Sequence, residues 1–161
     1  MRYNTIRQLD IANGKGIGCS IFIQGCDFAC RGCFNTVARD FSGGKEFTDQ
    51  TMDLLLELAK PDYIDHLSVL GGEPLHPRNR RDVLDLVKKF KEKYPNKTVW
   101  LWTGYLWEEV VSDLINSEVD VVVDGRFVEA LKDLRLPYCG SSNQRVIDVK
   151  KSTVDSITLY K

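Results

Sequence analysis

The stretch "VDVVVDG" at residues 119–125 carries an unbroken valine run between two aspartates. A strand that is apolar at consecutive positions is covered on both faces, which is the habit of parallel sheets. Three further apolar runs have strand length: "GCSIFIQ" (18–24), "DHLSVLGG" (65–72) and "KTVWLWTG" (97–104). Between them lie helical patterns. "TDQTMDLLLELAK" (48–60) opens on Thr48 as its N-cap, with Phe47 and Met52 placed as a hydrophobic staple. "RRDVLDLVKKFKEKY" (80–94) sets Val83, Leu86, Val87, Phe90 and Tyr94 on one face and stops at Pro95. "YLWEEVVSDLINS" (105–117) presents Leu106, Val110, Val111 and Leu114. "RVIDV" and "SITLYK" are short strand candidates after a loop-rich region at 125–144.

Strands alternating with helices predict right-handed βαβ units on a parallel sheet. A closed eight-fold barrel needs roughly 250 residues. At about 30 residues per unit, 161 residues accommodate about five units. The expected fold is therefore α/β on a parallel sheet, an open partial β/α barrel or an open α/β sheet, in one domain over residues 1–161. Ligands of such sheets bind at the carboxyl ends of the strands. Four glycine-containing motifs fall there: "QGC", "GGEP", "TGY" and "DGRF".

The charge balance, 22 basic against 23 acidic residues, gives no electrostatic footprint for nucleic acid or an anionic membrane. No apolar stretch approaches a membrane span, and "MRYNTIRQLD" lacks the apolar run of a signal peptide, so a cytoplasmic protein is expected. Five cysteines in a reducing compartment point to metal or redox chemistry and away from disulfides.

Three of the five stand within eight positions, Cys26-x3-Cys30-x2-Cys33. Thiolates select zinc, copper(I) or iron–sulfur clusters. A thioredoxin-like pair from Cys30 and Cys33 leaves Cys26 unused. A structural zinc site takes a distant fourth ligand, such as Cys19, Cys139 or a histidine. A [4Fe-4S] cluster held through three irons leaves its fourth iron open to a small molecule. Cys19 sits within a strand and reads as a buried small hydrophobe. Cys139 reads as a loop thiol, and His66 and His76 lack metal-ligand spacing. Gly71 and Gly72 serve either a turn or a close backbone approach to a ligand. Thr103 caps a helix or touches a cofactor, and Asp124 and Arg126 bind a ligand or each other. "GKGIG" lacks the spacing of a phosphate-binding loop.

The cysteine spacing after one strand, with "GGEP" after the next, resembles the radical S-adenosylmethionine superfamily. "GCDFACRGCFN", "WTGY", "VDGRF" and "GSSNQRVIDV" narrow the resemblance to activating enzymes of anaerobic ribonucleoside-triphosphate reductases, over about residues 10 to 149. The resemblance implies a [4Fe-4S] cluster on Cys26, Cys30 and Cys33, with S-adenosyl-L-methionine on the open iron. It implies cofactor contacts from Gly71, Gly72 and Glu73, the last holding the ammonium group, and Thr103 stands as a further candidate contact. It further implies a 5′-deoxyadenosyl radical that installs a glycyl radical on the large subunit of the reductase, and a flavodoxin-type electron donor. Many superfamily members carry an aromatic residue before the third cysteine, where it meets adenine. Here Gly32 holds that place and Phe34 follows Cys33, so the expected adenine contact comes from Gly32 or Phe34. Two other readings stay beside this one: radical chemistry on a different glycyl-radical enzyme or small molecule, and a zinc-stabilised interaction module without catalysis.

Overall fold

The computed structural model describes residues 1–161. Seven strands form one sheet: β1 (Arg2–Asp10), β2 (Gly18–Ile23), β3 (Lys45–Glu46), β4 (His66–Gly71), β5 (Thr98–Trp102), β6 (Val121–Asp124) and β7 (Arg145–Asp148). Three helices join them: α1 (Asp49–Leu58), α2 (Arg80–Lys93) and α3 (Trp107–Leu114). The strand order is β3-β1-β2-β4-β5-β6-β7. The fold is α/β, as expected, but the sheet is mixed and not purely parallel. β2, β4, β5 and β6 run parallel, whereas β1, β3 and β7 pair antiparallel to their neighbours.

The correction has a local cause. Of the nine residues of β1 only Asp10 is buried, so that strand shows no apolar alternation and is held by pairing with β2. β7 follows β6 with no α-helix between them to carry a crossover, and it pairs antiparallel. "SITLYK" adds a single bridge, Ile147 to Leu159, on the outer side of β7.

Three successive crossovers move the same way across the sheet, from β2 to β4 to β5 to β6. Crossovers of the usual right hand then leave α1, α2 and α3 on one face. That face holds the core. An in-register row of Ile21, Val69, Leu101, Val122 and Ile147 crosses the sheet beneath Leu55, Val83, Leu86, Val87, Phe90, Trp107, Val110 and Leu114. α1 begins at the expected cap: Thr48 Oγ1 accepts from Thr51 N at 3.3 Å. α3 does not begin at Thr103. Its first N–H, on Trp107, donates to Asp124 at the end of β6 (2.7 Å).

The opposite face carries Ser20, Phe22, Ser68, Leu70, Trp100 and Trp102, and only loops cover it. The 11–17 segment crosses one end, where the Ser68 hydroxyl donates to the Asn13 carbonyl and the Ser20 hydroxyl to Asp10. Tyr138 and Tyr160 pack on Trp100, with ring centroids 4.7 and 4.9 Å away. Trp100 and Trp107 are buried core residues, while Trp102 is half-buried and faces a cavity.

Candidate cofactor site

All four glycine motifs sit at carboxyl ends of the parallel strands, and they open on one cavity of about 600 Å³. Cys26, Cys30 and Cys33 line it together with Phe34, Gly71, Gly72 and Thr103. Gly32 and Glu73 are not among its lining residues.

The cysteine loop is fixed at its base by main chain. Gly25 N donates to Ala38 O (2.7 Å) and Cys26 N to Arg39 O (3.0 Å), so the two ends of the loop run side by side. Gln24 reinforces this closure through its side-chain amide, which donates to Val37 O (2.9 Å) and Asp40 O (2.8 Å). A turn brings Cys33 N to Cys30 O (3.2 Å), with Gly32 in left-handed conformation at φ 74°. Two amides point at sulfur: Phe28 N to Cys26 Sγ (3.5 Å) and Asn35 N to Cys33 Sγ (3.4 Å). Burial pushes the Cys26 thiol up, and the Phe28 amide opposes that shift.

Gly71 and Gly72 are required by close approach. A Cβ on Gly71, at φ 119°, would lie 2.4 Å from Ile23 N, and one on Gly72 would lie 2.5 Å from Gly25 O and 2.6 Å from Ala38 O. The second motif therefore packs backbone to backbone against the first. Glu73 N completes the contact by donating to Gly25 O (2.8 Å).

The Glu73 side chain turns the other way. It is 1% exposed and accepts from Thr103 Oγ1 (2.6 and 2.9 Å) and Gly104 N (3.2 and 3.3 Å). Burial pushes its carboxyl up to about 8, against the hydrogen bonds that favour the charged form. Thr103 is thus spent on Glu73, and the pair ties the rim of β4 to the rim of β5. Asp124 is likewise structural. It pairs with Arg145 (2.5 Å) and not with Arg126.

Side chains between the cysteines reach the other rim loops, which their spacing in sequence does not reveal. Asp27 pairs with His76 at 2.7 Å. Phe28 fills the space left by Gly104, where a Cβ would meet the ring at 2.5 Å, and the Arg126 guanidinium stands 4.3 Å above that ring. Arg39 holds the Cys30 carbonyl at 2.8 Å. Cys19 is fully buried in the core, its thiol pushed up to about 11 by desolvation. Cys139 lines the cavity.

The donor set can be tested against both metal readings. A tetrahedral zinc at about 2.3 Å from each sulfur needs its ligands to converge on one point. No group of three or more His, Cys, Asp or Glu side chains does so. In a cubane each thiolate takes a different iron, and three cysteines lining one cavity suit a [4Fe-4S] cluster.

The comparisons agree with that chemistry. The family described as a 4Fe-4S single cluster domain matches residues 12–147. Proteins named anaerobic ribonucleoside-triphosphate reductase-activating protein from Salmonella typhimurium (strain LT2) and Escherichia coli (strain K12) are each 40% identical over 154 residues, covering 91% of this chain and 97% of theirs. The protein of that name from Enterobacteria phage T4 is 36% identical over 146 residues, 91% of this chain and 93% of its own. Relatives of matching length at this level of identity place the chain in the family of anaerobic ribonucleoside-triphosphate reductase-activating proteins.

Proposed function

We propose that this chain is a radical S-adenosylmethionine enzyme that installs a glycyl radical on an anaerobic ribonucleoside-triphosphate reductase. The observation that carries the proposal is the placement of Cys26, Cys30 and Cys33 in one cavity with Gly71 and Gly72, in a chain of this family. When bound, the cluster and S-adenosylmethionine supply reductive cleavage of the sulfonium and the carbon radical that removes a hydrogen atom from a glycine of the reductase.

The protein's own part is to hold, orient and shield. Cys26, Cys30 and Cys33 hold three irons. Gly71 and Gly72 bring main chain to the cavity edge, where it receives the methionyl amine. Glu73 and Thr103 act on that edge from behind, by locking the two rim loops together. Of the residues flanking Cys33, Phe34 lines the cavity and offers the adenine contact. Four parallel strands with all helices on one face support reading the sheet as the open partial barrel of the superfamily. Loops alone cover the other face, so a loop of the reductase completes the enclosure that keeps water from the reacting atoms. A flavodoxin-type protein is the proposed electron donor. Five unpaired cysteines suit a reducing cytoplasm, and no helix is long and apolar enough to cross a membrane.

The test is an anaerobic mixture of the reconstituted protein, S-adenosylmethionine, a strong reductant and the reductase, read by electron paramagnetic resonance. A glycyl doublet on the reductase is expected. Methionine release without that doublet would move the target to another substrate, and no cleavage at all would remove the enzyme reading.

A further inference from the structure

The segment Gly140–Arg145 follows the last rim loop in sequence, and four of its side chains close back onto that loop. Gln144 accepts from Gly140 N (2.8 Å) and Ser141 N (3.2 Å), and its amide donates to Gly125 O (2.9 Å). Asn143 donates to Arg126 O (2.8 Å) and accepts from the Ser141 hydroxyl (2.6 Å). That same hydroxyl accepts from Val128 N (3.1 Å). Arg145 grips Asp124 with two nitrogens. One short segment therefore holds the main chain at Gly125, Arg126 and Val128 and the side chain of Asp124.

The held stretch is cavity wall: Gly125, Arg126 and Phe127 all line it. It also reaches the cysteine loop. Phe127 packs on Phe34, with centroids 4.8 Å apart. Gly140 permits that pairing, since a Cβ there would lie 2.9 Å from the Phe34 ring and 3.1 Å from the Phe127 ring. Meanwhile Arg126 covers Phe28. None of these bonds involves Cys26, Cys30 or Cys33.

We infer that Asn143 and Gln144 are positioning residues for the cofactor wall, acting through the backbone of residues 125–127 on S-adenosylmethionine affinity and not on cluster assembly. The inference rests on the function proposed above. The two amides suit this work because each presents a donor and an acceptor at once. A serine or a carboxylate of similar reach replaces only part of that set.

Gln144→Glu and Asn143→Asp are the sharp tests. Each keeps shape and acceptor but loses the N–H donated to a wall carbonyl. Gln144→Ala and Asn143→Ala remove both functions. Each protein is reconstituted anaerobically, assayed for iron and sulfide, reduced, and titrated with S-adenosylmethionine while the cluster's electron paramagnetic resonance is followed. The wild-type spectrum is expected to change on titration; an unchanged wild-type spectrum would overturn the proposed function itself. Given that change, the isosteric variants should hold wild-type iron content and bind S-adenosylmethionine about 5- to 10-fold more weakly, the effect of one or two lost hydrogen bonds. The cleavage rate at saturating S-adenosylmethionine should stay within about twofold. Unchanged affinity in a folded variant, or weakening only in proportion to lost iron, would overturn the inference.

Discussion

Glu73 and Thr103 face each other across the rim, the hydroxyl donating to both carboxylate oxygens at 2.6 and 2.9 Å. The carboxyl is buried and shifted up to about 8 from an ordinary 4.5. A raised acid favours the folded state in its neutral form. That advantage is complete below about pH 4.5, is lost as pH rises, and is gone above about pH 8. Glu73→Gln removes the titration. The melting temperature of wild type should therefore fall relative to the variant between pH 5 and pH 8, with the gap constant above. A gap independent of pH would show that Glu73 is ionised throughout.

The three cysteines of the loop and the buried Cys19 should separate cleanly. Alanine at Cys26, Cys30 or Cys33 should abolish iron and sulfide uptake, measured after anaerobic reconstitution. Cys19→Ala should retain full iron content and lose about 1 kcal/mol of stability, as expected for a small group removed from a packed core. Normal cofactor cleavage by Cys30→Ala would sink the cluster assignment.

Gly72→Ala places a methyl against two carbonyl oxygens of the cysteine loop, both of them main chain and so unable to swing aside. A loss of about 1–3 kcal/mol in denaturant unfolding is expected. The iron content should fall as well, because the same contact holds the base of the loop. Intact iron with reduced stability would show that the loop yields without losing its thiol geometry.

Asp124 is fully buried between the Trp107 amide and the Arg145 guanidinium. Asp124→Asn keeps an acceptor for the helix but leaves Arg145 with only Glu108. Deleting one member of a buried pair commonly costs about 3–5 kcal/mol. Arg145 is about a third exposed, so a loss of about 1–3 kcal/mol is expected, read by chemical denaturation. No measurable loss would show that water replaces the aspartate's charge at this site.

What the sequence made legible follows from where each element gets its stability. β2, β4, β5 and β6 were readable because burial on both faces writes itself as apolar runs, and α1, α2 and α3 because one buried face writes itself as a 3.6-residue period. β1 was not readable, since its order comes from hydrogen bonds to β2 and its side chains are mostly polar, with Asp10 alone buried. The thiols and Gly71–Gly72 announced themselves by residue type. The direction of Glu73 did not, because it depends on Thr103 and Gly104 from the next strand. Nor did the partner of Asp124, which lies 21 positions away at Arg145. The clasp from Asn143 and Gln144 was visible only as a string of polar residues. Its meaning required knowing that β7 returns beside β6.

The wall at residues 125–144 bears on how the protein matures. Cys33 precedes Gly125 by 92 positions (125 minus 33), so a ribosome delivers the thiol loop well before the segment that shelters it. At about 5–20 residues per second, several seconds pass with three thiols in place and their cover unmade. The order of the chain thus leaves the thiol loop without its wall during synthesis, and the cavity is complete only once residues 125–144 have followed.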